Sequence, residues 1–366
     1  MKSYAVRPIS TLQYILVIST FQISVGFLSL PRDLAKQAGT DGWLAIPIGW
    51  AGATVASLAI VRVMTYNPDG TILDLIKRYM GVWAAKAAAA VFFVYFLILG
   101  YDGYIISSLV VKLWLLPTTY VYLLTLLMLI PTFQIGQHGL QVLGRYSEIV
   151  ALLSLWVPLI YITTLRYAHW LNLLPVFKEG VAPVLSAAKT MVYPMLGIIL
   201  AFFLYPHLVK KQKAASAIVI SNTISCIAYL AITLICFVYY SPDEITDFNN
   251  PVITIMKTIE FRFMERVEVP FIAFYLFIFS CIWIPSMYIA SYCSAWLLGK
   301  GNERRHLAVL CVAIFLSVVF YRPSFMEVER LNNYMNGVGF VIEFVLPACL
   351  LAYLIVYTRI KRRKTI

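Results

Sequence analysis

Charged residues are scarce in this chain: Asp, Glu, Lys and Arg make up 13% of its 366 residues. Soluble globular proteins carry about 25% because their surfaces face water, so the shortage excludes an ordinary soluble domain. Hydrophobic residues account for 61% of the chain. They fall into runs of roughly 20 residues, the length of helix that crosses the hydrocarbon core of a bilayer.

Ten such runs can be marked along the sequence. They cover approximately residues 9–31, 43–64, 84–109, 117–135, 146–165, 187–206, 215–240, 269–298, 306–321 and 337–358. The links between them are short apart from 166–186 and 241–268, and neither of these is long enough to fold alone. We therefore predict an all-α polytopic membrane protein with ten transmembrane helices, in which residues 1–366 form a single transmembrane domain.

Residues that catalyse reactions or hold metals are also few. The four histidines and six cysteines show none of the spacings of a metal site or a disulfide framework. No P-loop, nucleophile elbow or glycine-rich nucleotide fingerprint occurs. We predict no catalytic site, no metal and no cofactor, and a membrane enzyme is the least favoured class.

The basic residues predict the orientation of the chain. The net charge of +12 lies in short clusters between apolar runs, which is typical of membrane topology and not of a nucleic-acid-binding face. With the N-terminus inside, most of the 29 Lys and Arg residues, including the tail after Tyr357, lie on the cytosolic side. We therefore expect both termini in the cytosol, the lipid bilayer as a partner, and no nucleic acid.

Two linkers carry apolar residues at helical spacing. These residues are Ile72, Leu75, Ile76 and Tyr79 in Thr71–Met80, and Val252, Met256, Ile259, Phe263 and Val267 in 251–268. Charged residues fill the opposite faces, which favours amphipathic helices lying on the membrane. The alternative is a solvated loop with accidental periodicity.

Two apolar runs are interrupted at corresponding places. Ser24-Val25-Gly26 lies in the first run, and Tyr193-Pro194-Met195-Leu196-Gly197 lies in the sixth, which opens a second set of five. Backbone groups freed at a break cannot face lipid, and paired interruptions in two halves indicate a transporter-type binding site. We predict repeats at about 9–166 and about 187–358 with facing breaks; simple kinks are the alternative.

Two carboxyl groups fall at membrane depth, Asp102 in the third run and Glu343 in the tenth. A charge there is costly and normally faces the bundle interior or a water-filled cavity. For Asp102 we favour contact with a ligand amine, a proton or a cation. For Glu343 we favour the structural alternative, a protonated carboxyl or one near the outer interface that is hydrogen-bonded to a neighbouring helix.

Several segments carry a resemblance to a known family. The run Val25-Gly26-Phe27-Leu28-Ser29-Leu30-Pro31-Arg32 resembles the first-helix signature of the GerAB-type spore germination permeases, which belong to the amino acid-polyamine-organocation superfamily. Asn172-Leu173-Leu174-Pro175-Val176 followed by Glu179-Gly180, and Tyr205-Pro206-His207 followed by Lys210-Lys211, are similar to its link between helices five and six and to the end of helix six. Length, ten spans and a basic tail also match.

The resemblance implies a LeuT-like 5+5 inverted repeat with broken helices 1 and 6. It implies a germinant-sensing B subunit in the inner membrane of the spore, which binds a small nutrient (amino acid, sugar or ion) at mid-membrane. Its expected partners are a germinant receptor A subunit and a C-subunit lipoprotein. A secondary amino-acid transporter coupled to H⁺ or Na⁺ is the competing function.

The family's pocket lies among helices one, three, six and eight. Carried onto this chain, it points to Ser24, Gly26, Tyr95, Leu99, Leu196, Gly197, Pro285 and Ser286. Tyr193, from the second break, and Asp102, close to Leu99 along the third helix, complete the predicted ligand site. Ser24 stands where family members often have glycine, and its hydroxymethyl group either narrows the pocket or supplies a hydrogen bond.

Overall fold

A computed structural model of the chain describes residues 8–178, 180–259, 266–299, 302–321 and 323–363. Glu179, Phe263 and several basic residues used to predict the orientation, among them Lys2, Arg7 and Lys300, lie outside the described residues. Within the described part, the chain is helical, and its β-pairing is an isolated parallel bridge between Ile9 and Leu208.

The described residues form ten membrane helices, numbered 1 to 10 below, as the apolar runs predict. Helix 1 comprises Thr11–Gly26 and Leu30–Ala38, helix 2 is Ala45–Met64, helix 3 is Val82–Trp114, helix 4 is Val121–Gly136, and helix 5 comprises Leu140–Leu153 and Trp156–Thr163. Helix 6 comprises Val181–Ala187, Ile198–Leu200, Ala201–Leu204 and Tyr205–His207, and helix 7 is Ala214–Tyr239. Helix 8 is Glu268–Leu298, helix 9 is Glu303–Phe320, and helix 10 comprises Phe325–Gly339, Phe340–Val345 and Leu346–Arg363. Helices 3, 8 and 10 are each more than 30 residues long, and helices 3 and 10 extend well past the ends of their apolar runs. The repeat boundaries at about 9–166 and about 187–358 stay a prediction.

Length and composition support a membrane location. Among the described residues, six helical stretches are long and apolar enough to cross a bilayer: Leu30–Met64, Val82–Trp114, Leu140–Tyr167, Lys211–Tyr239, Glu268–Leu298 and Phe325–Lys361. Three shorter apolar helices, Thr11–Ser24, Val121–Gly136 and Ile198–His207, accompany them. Two of the three are the first half of helix 1 and the second half of helix 6, which are short because these helices are broken. We call the end of the bundle that holds these halves the inner end, after the predicted orientation, and the opposite end the outer end.

The break in helix 1 lies a few residues later than the sequence predicts. Regular helix continues through Ser24 and ends at Gly26, and the second half begins at Leu30 with Pro31 in its first turn. Proline suits that position because the first helical N–H groups have no acceptor within the helix. The irregular residues are therefore Phe27–Ser29, and Ser24 is part of the last helical turn.

The break in helix 6 includes the predicted residues and is longer than the predicted interruption. Residues 188–197 form successive turns between Val181–Ala187 and Ile198–Leu200. Gly197 has φ +109°, a backbone conformation that favours glycine. Tyr193–Gly197 thus lies entirely within the non-helical segment.

Helix 10 is also irregular. Its middle, Phe340–Val345, is a π-helical turn that carries Glu343. Such turns are rare and concentrate at functional sites. The lengths of the apolar runs do not predict this feature, because hydropathy is insensitive to the hydrogen-bond register of a helix.

The two amphipathic linkers differ in outcome. Ile72–Met80 is a helix over nearly the whole predicted segment, but its apolar residues Ile72, Leu75 and Ile76 are buried against helix 3 and do not face the membrane. In 251–268 the described helix covers only Pro251–Met256, and its buried side chains pack on helices 1 and 7. This second apolar face therefore also lies against the protein.

Helix 1 occupies the centre of the bundle. It packs between helices 7 and 8 and against the first part of helix 5, while helix 8 runs along helix 3. The inner half of helix 6 packs on helices 1 and 2. This arrangement brings the two breaks together.

Candidate functional site

Two tyrosines support the break in helix 1. The last carbonyls of a helix have no donor within the helix, and here Tyr229 of helix 7 donates to the Gln22 carbonyl at 2.6 Å. Tyr275 of helix 8 donates to the Ser24 carbonyl at 2.9 Å. Carbonyl groups at this end of the half-helix therefore accept hydrogen bonds from the neighbouring helices on both sides.

Two glycines bring the breaks into contact. A Cβ atom on Gly26 would lie 2.9 Å from Cγ of Pro194 in helix 6. A Cβ on Gly197 would overlap Cδ1 of Phe21 in helix 1, in addition to the strain that its positive φ imposes on any other residue. A larger residue at either position therefore requires the opposing side chain, Pro194 or Phe21, to shift.

A small cavity lies where the breaks meet. Its volume is about 10 Å³, and its walls come from helices 1, 3, 6 and 8: Phe21, Gln22, Gly26, Leu99, Tyr193, Leu196 and Ile282. Four of the ten predicted site residues, Gly26, Leu99, Tyr193 and Leu196, are among them. The volume corresponds to about one water molecule, so the structure is a closed state in which a larger ligand requires the breaks to separate.

On one side of this cavity, Tyr193 joins a polar cluster with Asp102 of helix 3. The Tyr193 hydroxyl donates to Oδ2 of Asp102 at 2.5 Å. The amide of Asn332 in helix 10, with its NH₂ turned towards the carboxylate, donates to the Asp102 oxygens at 2.9 and 3.0 Å and to the Tyr193 hydroxyl. This outer cluster (Asp102, Tyr193 and Asn332) links helices 3, 6 and 10.

A second cluster forms around Glu343, whose side chain is fully buried. The Tyr95 hydroxyl of helix 3 donates to Oε1 at 2.6 Å. The backbone N–H of Gly197 lies 2.8 Å from Oε2, and that of Ile199 lies 3.3 Å from it. This inner cluster (Glu343, Tyr95 and the two N–H groups) links the same three helices. Glu343 is hydrogen-bonded to neighbouring helices, as expected. Its partner is the break in helix 6 and not a group near the outer interface, which the sequence does not predict.

The other predicted residues, Ser24, Pro285 and Ser286, do not line the cavity. The Ser24 hydroxyl donates to the Phe21 carbonyl of its own helix at 2.7 Å, so it does not face a ligand in this state. Pro285 is inside helix 8 and buried. Ser286 is also buried, and its hydroxyl has no hydrogen-bond partner among the described residues.

Sequence reasoning missed a polar network around Gln22. Ser225 donates to Gln22 Oε1 at 2.6 Å, and Gln22 Nε2 donates to the Met195 carbonyl at 3.3 Å and to Asn222 at 3.1 Å. Asn222 in turn donates to Ser57 of helix 2 at 2.9 Å. The available signal was an amide in the middle of an apolar run, since polar residues at membrane depth normally face the bundle interior.

Contacts at both ends hold helix 1 in this closed state. At the outer end, the Arg32 guanidinium donates to Asn249 at 2.8 Å and to Glu329 of helix 10 at 3.0 Å. At the inner end, the backbone N–H of Ile9 donates to the His207 carbonyl at 2.8 Å, and Gln13 donates to Glu148 of helix 5 at 3.2 Å.

Comparison with known protein families shows to which family this chain belongs. Residues 8–326 match the Spore_permease family, which is described as spore germination protein. The chain belongs to this family. It is 21% identical to spore germination protein GerQB of Bacillus cereus, over 95% of both chains. It is 24% identical to spore germination protein YndE of Bacillus subtilis (strain 168), over 94% of this chain and 95% of that protein.

Solved structures with the same fold are transporters or ligand complexes. MhsT in complex with L-phenylalanine matches 94% of this chain and 89% of its own with a TM-score of 0.64 and 12% identity. Mhp1, a nucleobase-cation-symport-1 family transporter in a closed conformation with bromovinylhydantoin bound, matches 95% and 78% with a TM-score of 0.67 and 12% identity. The spore germination permease therefore has a LeuT-like fold and is a multi-pass membrane protein of a permease family.

Proposed function

We propose that this chain is the germinant-sensing B subunit of a spore nutrient receptor. It binds a small nutrient, an amino acid, sugar or ion, between the breaks of helices 1 and 6 and signals germination. The observation that carries the proposal is the meeting of both breaks around a buried cavity, in a chain of the spore germination family. Its location is the inner membrane of the spore, with both termini cytosolic.

In this proposal, the residues that line the cavity touch the ligand. These are Gly26, Leu99, Tyr193 and Leu196 among the predicted set. Tyr95, Asp102 and Gly197 act through the two polar clusters, which join the breaks to helices 3 and 10. Ser24, Pro285 and Ser286 form the adjoining walls and reach the ligand once the breaks separate.

The closed cavity gives a mechanism for sensing. A ligand larger than a water molecule stabilises the state in which helices 1 and 6 have moved apart, and an equilibrium shifts only by the difference in affinity for the two states. The receptor A subunit and the C-subunit lipoprotein then read that movement.

The experiment is germination of spores that lack this chain, tested against a panel of amino acids, sugars and salts. Loss of the response to one nutrient, restored by the wild-type chain, supports the proposal. Expression of the chain with and without the A subunit and the lipoprotein tests the partners, and a full response without either contradicts the receptor assembly.

The likeness to Mhp1 and MhsT favours one second function, secondary transport of an amino acid coupled to H⁺ or Na⁺. Purified protein in liposomes distinguishes the two. Accumulation of a labelled amino acid driven by a proton or sodium gradient supports transport. Binding without accumulation supports a sensor.

A further inference from the structure

The inner half of helix 6 begins with backbone N–H groups that have no acceptor within the helix. Ile198–His207 is a ten-residue apolar helix, and the positive end of its dipole lies at the break. Anions and carboxylates bind at such helix starts. In this chain the acceptor is Glu343, whose Oε2 accepts from Gly197 at 2.8 Å.

No cation shares this position within the described part of the chain. The ion pairs found there are Arg32–Asp33, Arg32–Glu329, Lys211–Asp69 and Arg266–Glu268, and none includes Glu343. The carboxyl oxygens of Glu343 instead accept hydrogen bonds from the Tyr95 hydroxyl and from the N–H groups of helix 6. The donors at the break are thus satisfied by the chain itself.

The other carboxyl cluster lies on the opposite end of the same segment. Tyr193, which lines the cavity, donates to Asp102, and Gly197 donates to Glu343. The wall that helix 6 presents to the cavity therefore lies between two carboxyl groups of the protein. The Tyr193 hydroxyl and the Gly197 N–H of this wall already donate to carboxyl groups of the protein, so a ligand carboxylate finds no free donor in either of them.

We infer that Glu343 is a specificity-determining residue: it occupies, as a tethered anion, the carboxylate position at the break of helix 6. Given the proposed function, the ligand presents a hydrogen-bond donor, an ammonium or hydroxyl group, to helix 6. A ligand that carries a carboxylate directs it elsewhere.

Chemical rescue tests the tethered anion. Glu343→Ala removes the carboxylate and leaves its space beside the free N–H groups, whereas Glu343→Leu removes the charge and keeps the space filled. Thermal unfolding of the full-length proteins in lipid nanodiscs is measured in sodium acetate and in sodium chloride at equal ionic strength and pH. Acetate is expected to stabilise Glu343→Ala at concentrations at least about ten-fold lower than any effect on wild type or Glu343→Leu.

Equal responses to acetate and chloride in Glu343→Ala overturn the inference, as does equal stabilisation of the wild type by acetate. If Glu343→Ala does not fold in chloride, it is purified in acetate throughout. Recovery of folded protein only in acetate supports the inference, and failure in both salts while Glu343→Leu folds overturns it. These measurements need no spores, so their outcome is separate from that of the germinant-sensing proposal.

Discussion

Gly26 is one of the two glycines, with Gly197, at which the proposed ligand site has little room for a side chain. A Cβ atom there would lie 2.9 Å from Pro194 and 3.1 Å from the Tyr229 hydroxyl. Gly26→Leu adds methylenes to a packed interior, which typically costs about 1–3 kcal/mol. A loss of that size on binding raises the germinant concentration for half-maximal response by roughly five- to 150-fold, measured as a dose–response curve of spore germination.

Gly337→Ala is the matched control for this prediction. Gly337 lies in helix 10, and a Cβ atom at this position would have no neighbouring heavy atom within 4 Å, so the variant is expected to respond like the wild type. Immunoblots of spore membranes establish the abundance of both variants. An abundant Gly26→Leu protein with an unchanged dose–response curve would exclude Gly26 from the ligand site.

Asp102 offers a second prediction at the residue scale. Asp102→Asn keeps the volume but weakens the acceptor for Tyr193, and Tyr193→Phe removes the donor. Hydrogen bonds to charged groups contribute about 1.5–3 kcal/mol, and partners in one network couple by about 0.5–3 kcal/mol. Each variant is expected to lower the melting temperature of the purified protein, and the double variant by less than the sum. Strict additivity would show that this hydrogen bond does not stabilise the closed state.

The two carboxyl groups show what sequence reasoning reaches at this scale. Their depth follows from the apolar runs around them, and depth alone indicated that both face the bundle interior. Their partners do not follow, because the Glu343 contact with Gly197 spans 146 residues. Hydropathy carries no information on which helices are neighbours.

At the scale of elements, the outer half of helix 1 depends on Arg32. Its side chain is 9% exposed and donates to Asp33, Asn249 and Glu329, whereas the Glu329 side chain is 61% exposed. An ion pair with a solvent-exposed partner contributes little to stability, about 0–1 kcal/mol. Glu329→Gln should therefore have a small effect on the closure of the outer end. Arg32→Ala removes all three contacts and should open the outer end.

Thiol labelling measures that opening. In a background without the native cysteines, Leu99→Cys places a thiol on the cavity wall, and a membrane-impermeant reagent is added from the outer side. Arg32→Ala is expected to raise the labelling rate several-fold, and Glu329→Gln to leave it near the parent rate. Identical rates in all three proteins would mean that Arg32 does not hold the outer end closed.

The breaks illustrate how far elements can be predicted. Glycine and proline placed both interruptions correctly to within a few residues, because these residues mark irregular backbone strongly. The shift in helix 1 from Ser24–Gly26 to Phe27–Ser29 arises because Gly26 serves close packing against Pro194 and remains helical. Glycine can therefore either interrupt a helix or allow close packing between helices, and the sequence alone does not distinguish these two roles.

At the scale of the whole molecule, an even number of helices requires both termini on one side. Asp243 lies in the link between helices 7 and 8 and is exposed, and Lys361 lies near the end of helix 10 and is also exposed. Impermeant thiol reagent should label Asp243→Cys in intact cells and Lys361→Cys only after permeabilisation. Labelling of both in intact cells would contradict the predicted orientation.

The number and order of helices were predictable because each apolar run matches the thickness of a bilayer, a constraint that acts locally along the chain. The packing of helix 1 between helices 7 and 8 was not, since it depends on side-chain fit between distant segments. The same holds for the closed cavity, whose size reflects the conformation and not the composition of its walls.

The π-helical turn Phe340–Val345 has a consequence for insertions and deletions. Each residue of an α-helix turns the chain by about 100°, and a π turn holds one residue more than a regular turn. Deleting one residue there would restore regular hydrogen bonding but rotate Asn332 away from the face that carries Glu343. Both polar clusters could then no longer meet helix 6. The spacing between Asn332 and Glu343 is therefore as much a determinant of the site as the two side chains, and relatives that share both clusters should also share this spacing.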